Sequence, residues 1–448
     1  MGGNMEIHAG QVLVERQSRE TTMGNEQLAI DGGPPVRTGT TIPLMKVCWD
    51  EDEQNAVQRV FESGYFCSVY EQAPEVKGLE KEFARCVGAQ YAVAFNSGTT
   101  AQHAVLVALG IGPGDEVIVP TLTFMSTAYS VLLVGAVPVF ADVHPDTITM
   151  DPQDAEARIS ARTKAIVPVH WLGHPADMDA IMPLAAAHDL AIIEDCAHGP
   201  GITLHGQEVG SFGQMAIWSL QQSKMLTAAG EGGLATTNDK VLATRLRQIC
   251  DHGKDKGART PLDFVAPYRI TALGNNYRLS EIQAAFARAQ LVKLPGFQER
   301  RRVAHASLRH RLGDVPGLRF PVLPEGASRS GYVFPVLFPG EQFSASIQRI
   351  SAALHAEGVE SYPIAVDELC HIHPLFSEEE GRATALAYRL RGDTPVPACG
   401  WGTLPVAEKI STELLLLPMH PDLSEADLED VAAAVHKVAH AYHRGNSG

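Results

Sequence analysis

The sequence predicts an α/β fold: a large domain built on a mostly parallel sheet, followed by a smaller C-terminal α/β domain. Three observations carry this. Short Val/Ile-rich runs alternate with helix-patterned segments from about Gly78 to Leu294, the pattern of a parallel sheet buried on both faces. At 448 residues the chain exceeds one ordinary domain, so two domains are expected. Hydrophobic residues make up 45% and charged residues 20%, the balance of a globular protein.

Residues 1–25 are polar and aperiodic and read as a frayed or disordered leader. "AQYAVAFNSG" reads as a strand ending at Asn96, with "TTAQHAVLVALG" as the helix that follows. "DEVIVPT" is a second strand, entered through the Gly112-Pro113-Gly114 turn. "VPVFADV", "TKAIVPVH", "DLAIIEDC" and "MAIWSL" bring the strands to six, and "DMDAIMPLAAAHD" is one of the helices between them. "YRLSEIQAAFARAQLVKL" is a helix that Pro295-Gly296 is expected to end. The large domain is therefore placed at 26–296 and the small one at 297–448. The latter holds a further helix, the strand "SGYVFPVLFPG", the helix "SASIQRISAALHAEGV" and a closing helix capped by Ser424.

A net charge of −16 argues against a nucleic-acid partner, because polyanion binding needs a concentrated basic surface. The basic run Glu299–Arg311 reads as one solvated or pairing helix. Seven cysteines without a C-x-x-C pair point to reduced thiols and a cytoplasmic protein. No apolar run approaches the ~20 residues of a membrane span, and the N-terminus lacks a signal-peptide pattern.

Ligands in parallel α/β sheets sit beyond the carboxyl ends of the strands, and three strand-end features stand out. In "NSGTT", Asn96 to Thr100, small hydroxyl residues lead into a helix. Free amides at a helix N-terminus can cradle a phosphate, although the same residues make an ordinary helix cap. Asp195 follows "LAIIE"; a carboxylate there is costly unless paired. It reads as a cap, a metal ligand, or the counter-ion of a protonated ring nitrogen. His198 either bonds the same ligand or caps a turn. Lys224 lies alone in "SLQQSKMLTAAGEGG", as an anion clamp or as an amine that joins a carbonyl. Its glycines allow backbone to approach a flat molecule. Together the three features match the phosphate, ring nitrogen and aldehyde of pyridoxal 5′-phosphate.

These residues also carry a resemblance. "FNSGTTAQHAVLVALGIGPGDEVIVPTLTF", "GHPADMDAI", "IIEDCAHG", "SLQQSKMLTAAGEGG", "LGNNYRLSEIQAA" and "LLLLPMHPDLSEADLEDV" occur in order between about Leu28 and His440. The chain resembles the DegT/StrS group of sugar and cyclitol aminotransferases, fold-type I enzymes that use pyridoxal 5′-phosphate. The resemblance implies that Lys224 is the Schiff-base lysine and that Asp195 pairs with the pyridine nitrogen. It likewise implies that Ser219 with Gly98, Thr99 and Thr100 forms the phosphate site. Phe124 takes the place of the aromatic stacked on the ring, and His198 that of a polar residue near its 3-hydroxyl. Asn276 resembles an asparagine that reaches the cofactor phosphate of a neighbouring subunit, which implies a homodimer with shared sites.

Other readings compete. Relatives that are dehydratases carry histidine at the lysine position, so Lys224 favours transamination. A Ser223–Lys224 hydrolase pair is disfavoured because adjacent residues rarely face each other. A non-catalytic sensor that binds the cofactor is the more distant alternative. His170 and His174 have the spacing of a zinc pair but sit in a turn, and "HIH" at His371 to His373 reads as a loop, so no metal site is expected.

For the acceptor, Met225 after the lysine and the "QQSK" loop resemble the branch that aminates keto-cyclitols in antibiotic biosynthesis, such as scyllo-inosose or its 2-deoxy analogue. The implied amino donor is L-glutamine or L-glutamate. The alternative acceptor is a nucleotide-diphosphate keto-sugar, for which Lys254, Lys256 and Arg259 could supply charge. "ESYPIAVDELCHIHP" lacks the Pro-x-His pattern associated with this region of relatives.

Overall fold

Seven strands form the main sheet of the computed structural model, which describes residues 27–255, 269–364, 369–391 and 395–446. They are β1 (Tyr91–Phe95), β2 (Glu116–Pro120), β3 (Val137–Ala141), β4 (Thr163–Ile166), β5 (Ala191–Asp195), β6 (Met215–Ser219) and β7 (Gly233–Thr237). Their spatial order is β1-β7-β6-β5-β4-β2-β3. From β3 across to β6 all neighbours are parallel. Every residue of β2, β3 and β7 is buried, as a sheet covered by helices on both faces requires.

β7 is absent from the sequence reading and runs antiparallel to both of its neighbours, β1 and β6. Gly-Leu-Ala-Thr-Thr carries little strand signal of its own; pairing on both sides makes it a strand. Its direction has a consequence for the site. Ser219 pairs with Gly233, so residues 220–232, including Lys224, form the closed loop between two adjacent antiparallel strands. Leu220 N donates to Gly232 O at 2.9 Å and Gln222 N to Gly230 O at 2.8 Å, which draws the loop shut.

The helix expected to stop at Pro295 instead runs unbroken from Glu281 to Arg311. Proline in a helix removes one hydrogen bond and crowds the preceding turn. Here Leu291, Leu294, Phe297, Arg301, Ala304 and Leu308 are buried at helical spacing on both sides of it, while Pro295 and Gly296 face solvent. Packing of that stripe outweighs the local break. The boundary expected at 296/297 falls inside this helix.

After the helix, β8 (Phe334–Leu337), β9 (Tyr362–Pro363) and β10 (Leu414–Leu417) form a second, antiparallel sheet in the order β8-β10-β9. Helices Ile347–Ala356 and Glu425–Tyr442 pack on it through Ile350, Val431 and Val435, and Leu28 and Ile42 join the same cluster. Ser424 caps the last helix as expected, in a reciprocal bond with Asp427. Among the described residues, no helix is long and apolar enough to cross a membrane. The leader at 1–25, and Lys256 and Arg259, lie outside the described residues.

Candidate functional site

A cavity of about 630 Å³ opens where β1, β5 and β6 end. Its wall includes Gly98, Thr99, Phe124, Asp195, His198, Ser219 and Lys224. Strand ends at a crevice of the sheet are where such folds bind ligands.

One end of the cavity is the N-terminus of the helix Gly98–Ala108. Ser97 caps it, its hydroxyl accepting from Thr100 N at 3.1 Å, and the first-turn amides of Gly98 and Thr99 have no partner within the helix. The fit between this turn and the strand ends is close. A Cβ on Gly98 would meet Ser219 Cβ at 3.2 Å, and a Cβ on Gly233 would lie 2.3 Å from Ser97 O. Glycine at both positions lets the turn press against Ser219, so that amides and a hydroxyl face one small volume, a geometry suited to a phosphate. The Thr100 hydroxyl donates to Asn96 Oδ1 at 2.7 Å, and Thr100 is not on the cavity wall.

Asp195, the last residue of β5, is 4% exposed. Its two oxygens accept from Thr127 Oγ1 at 2.9 Å and Ala197 N at 3.0 Å. Burial pushes its pKa above the usual carboxylate range, and those two hydrogen bonds and Lys224 pull the other way. A buried carboxylate in this position calls for a cationic partner.

Lys224 Nζ projects from the closed loop, 2.8 Å from His198 Nε2 and 3.5 Å from the hydroxyl of Tyr332. Burial pushes the His198 pKa well below its ordinary value, leaving the imidazole neutral. Phe124, 62% exposed, stands at the cavity mouth.

An amine, a buried carboxylate and a cradle of amides and hydroxyl thus line one cavity, and this donor set fits the aldehyde, ring nitrogen and phosphate of pyridoxal 5′-phosphate. Asn276 is exposed, bridges to Asp251 and takes no part in this wall. Met225, next to the lysine, is 2% exposed and belongs to the cluster of Leu122, Val169 and Ile364; Val169 and Ile364 line the cavity and Met225 itself does not. Lys254 pairs with Asp251 at 3.1 Å in a separate pocket.

Two of the histidines outside the cavity, His170 and His371, have structural partners. His170 Nε2 lies 3.2 Å from Glu194 Oε2, with Cys196 close enough for the three to hold a metal. Glu194, however, already accepts from the amides of Gly210, Phe212 and Gly213, so it serves to fix that loop. His371 bridges Thr121 Oγ1 and Glu408 Oε1 at 2.6 and 3.1 Å. Thr127 and Tyr332 are the site neighbours that sequence reasoning missed. They lie 68 and 108 residues from Asp195 and Lys224, too far apart to leave a local signal.

Comparison with known proteins supplies the context. Residues 47–436 match the model of the DegT/DnrJ/EryC1/StrS aminotransferase family. The chain is 38% identical over 368 residues to the UDP-N-acetyl-3-dehydro-α-D-glucosamine 3-aminotransferase of Acidithiobacillus ferrooxidans, covering 81% of this chain and 88% of the relative. It is 34% identical over 393 residues to the spore coat polysaccharide biosynthesis protein SpsC of Bacillus subtilis, covering 87% and 94%. Among solved structures, DesV of S. venezuelae superposes with a TM-score of 0.76 at 32% identity, covering 90% of this chain and 99% of DesV. DesI, solved with its TDP-sugar product, gives 0.77 at 27% identity, covering 94% and 97%.

Proposed function

We propose that this chain, which belongs to the DegT/DnrJ/EryC1/StrS aminotransferase family, moves an amino group from L-glutamine or L-glutamate to the ketone of a nucleotide-diphosphate keto-sugar. The chain is a pyridoxal 5′-phosphate-dependent aminotransferase. The observation that carries the site assignment is the convergence of Lys224, Asp195 and the Gly98–Ser219 cradle on one cavity.

Bound there, the cofactor supplies an electron sink for the carbon whose proton is moved. The chain's residues do the rest. The Gly98 and Thr99 amides and Ser219 hold the phosphate end. Asp195 offers a fixed negative charge that keeps a ring nitrogen protonated. Phe124, on the cavity wall, would cover one face of the ring. Lys224 is the group that joins the cofactor aldehyde and that accepts and returns the migrating proton at Nζ. Asn276, exposed and outside its own chain's cavity, is assigned to the site of a second copy, in a homodimer.

The sugar-nucleotide acceptor rests on the relatives: one is named for a UDP-linked keto-sugar and another was solved with a TDP-sugar. This favours the alternative weighed in the sequence over a keto-cyclitol. Burial of Met225 removes one argument for the cyclitol, because that side chain does not line the cavity. One observation keeps the cyclitol as a second reading. Among the described residues, Lys224 is the sole lysine or arginine on the wall, which is otherwise neutral apart from Asp195 and Glu231.

The test loads the enzyme with amino donor and then offers a UDP- or TDP-linked keto-sugar or scyllo-inosose. Return of the cofactor's visible absorbance with the nucleotide sugar alone supports the first reading. Return with the cyclitol alone establishes the second.

A further inference from the structure

Ser330 to Tyr332 hold both the backbone and the ring of His198. Ser330 Oγ donates to the His198 carbonyl at 2.9 Å, and Ser330 N donates to Gly173 O at 3.1 Å. Gly331 then turns the chain at φ +67°, where an added Cβ would crowd Arg301 Cβ at 3.1 Å. The turn lays the Tyr332 ring flat on the imidazole, with centroids 3.9 Å apart and planes 14° apart. Trp171 is a second ring neighbour at 5.2 Å.

A neutral imidazole carries one N–H. Leu172 N donates to His198 Nδ1 at 3.3 Å, which leaves the hydrogen on Nε2, where it can donate to the unprotonated form of the Lys224 amine 2.8 Å away, the form that attacks an aldehyde. Rotating the ring by half a turn would break both contacts. Tyr332 also touches the amine itself: its hydroxyl lies 3.5 Å from Nζ, and Nζ stands 5.1 Å from its ring centroid. The tyrosine is 9% exposed and belongs to the packed cluster beneath the cavity, so it forms part of a rigid wall.

We propose that Tyr332 is a positioning residue for amine transfer, its ring locking His198 as the Nε2–H tautomer facing Lys224 and its hydroxyl fixing where Nζ rests. The inference depends on the assignment of Lys224 as the cofactor-joining amine.

Full-length protein, Tyr332→Phe and Tyr332→Leu are compared in two measurements. In ¹⁵N-histidine spectra of the chain freed of cofactor, His198 should show a single Nε2–H tautomer in wild type and Tyr332→Phe. In Tyr332→Leu its two nitrogens should average. The rate at which Lys224 captures added pyridoxal 5′-phosphate should fall about fivefold in Tyr332→Phe, the loss of one hydrogen bond. In Tyr332→Leu it should fall roughly a hundredfold, the loss of orientation. An unaveraged tautomer in a folded leucine variant overturns the role of the ring. If that variant does not fold, Tyr332→Phe decides: a wild-type capture rate there overturns the role of the hydroxyl and with it the proposal. If wild type itself fails to capture the cofactor at Lys224, the functional reading fails instead, and the tautomer spectra still report on Tyr332.

Discussion

The hydroxyl of Thr127 holds one oxygen of Asp195 at 2.9 Å, while the amide of Ala197 holds the other at 3.0 Å. An asparagine can keep both contacts, because its oxygen accepts from Ala197 and the Thr127 hydroxyl can turn to accept from its amide. Asp195→Asn therefore separates charge from shape. Burial raises the folded-state pKa of Asp195. The stability linked to its proton is thus present below its unfolded value and lost as pH rises through the folded one. At pH 8, the cofactor-free asparagine variant should melt at or above wild type, and the two should converge toward pH 3. With cofactor and donor, the variant should lose about a hundredfold or more in half-reaction rate. Calorimetry across pH and single-turnover absorbance measure the two effects. A variant that is less stable at pH 8 yet turns over normally refutes the assigned charge.

Why Asp195 and Lys224 were legible in the sequence while their neighbours were not follows from chain geometry. Both follow short apolar strands, and in a parallel sheet strand ends share one edge. β7 was missed because its five residues owe their form to partners on each side. Pro295 was misread because the apolar stripe holding the helix together lies on both sides of it. Thr127 and Tyr332 reach the site from distant segments, one from the helix after β2 and the other from the approach to β8.

Gly233 tests the cradle. Gly233→Ala would place a Cβ 2.3 Å from Ser97 O and 2.5 Å from Gly98 N, so the strand or the helix turn must move. The expected cost is about 1–3 kcal/mol of stability, read from the denaturation midpoint, with weaker retention of the cofactor during dialysis. Full retention and an unchanged midpoint would show that the turn does not depend on this close approach.

Asn276 tests the assembly. Lys224→Ala and Asn276→Ala proteins, each inactive alone, should regain activity when subunits are exchanged, since one site of each hybrid then has both residues. The ceiling is about a quarter of wild type for random pairing of independent sites. Activity that stays absent after mass spectrometry has verified exchange would mean that each site is complete within one chain.

The central claim, that Lys224 is the amine that joins the cofactor, is tested most directly by borohydride reduction of the loaded protein followed by peptide mass mapping. The reduced cofactor should be found on the peptide containing Lys224, and Lys224→Ala should carry none. Attachment to any other lysine in the wild-type chain would contradict the assignment.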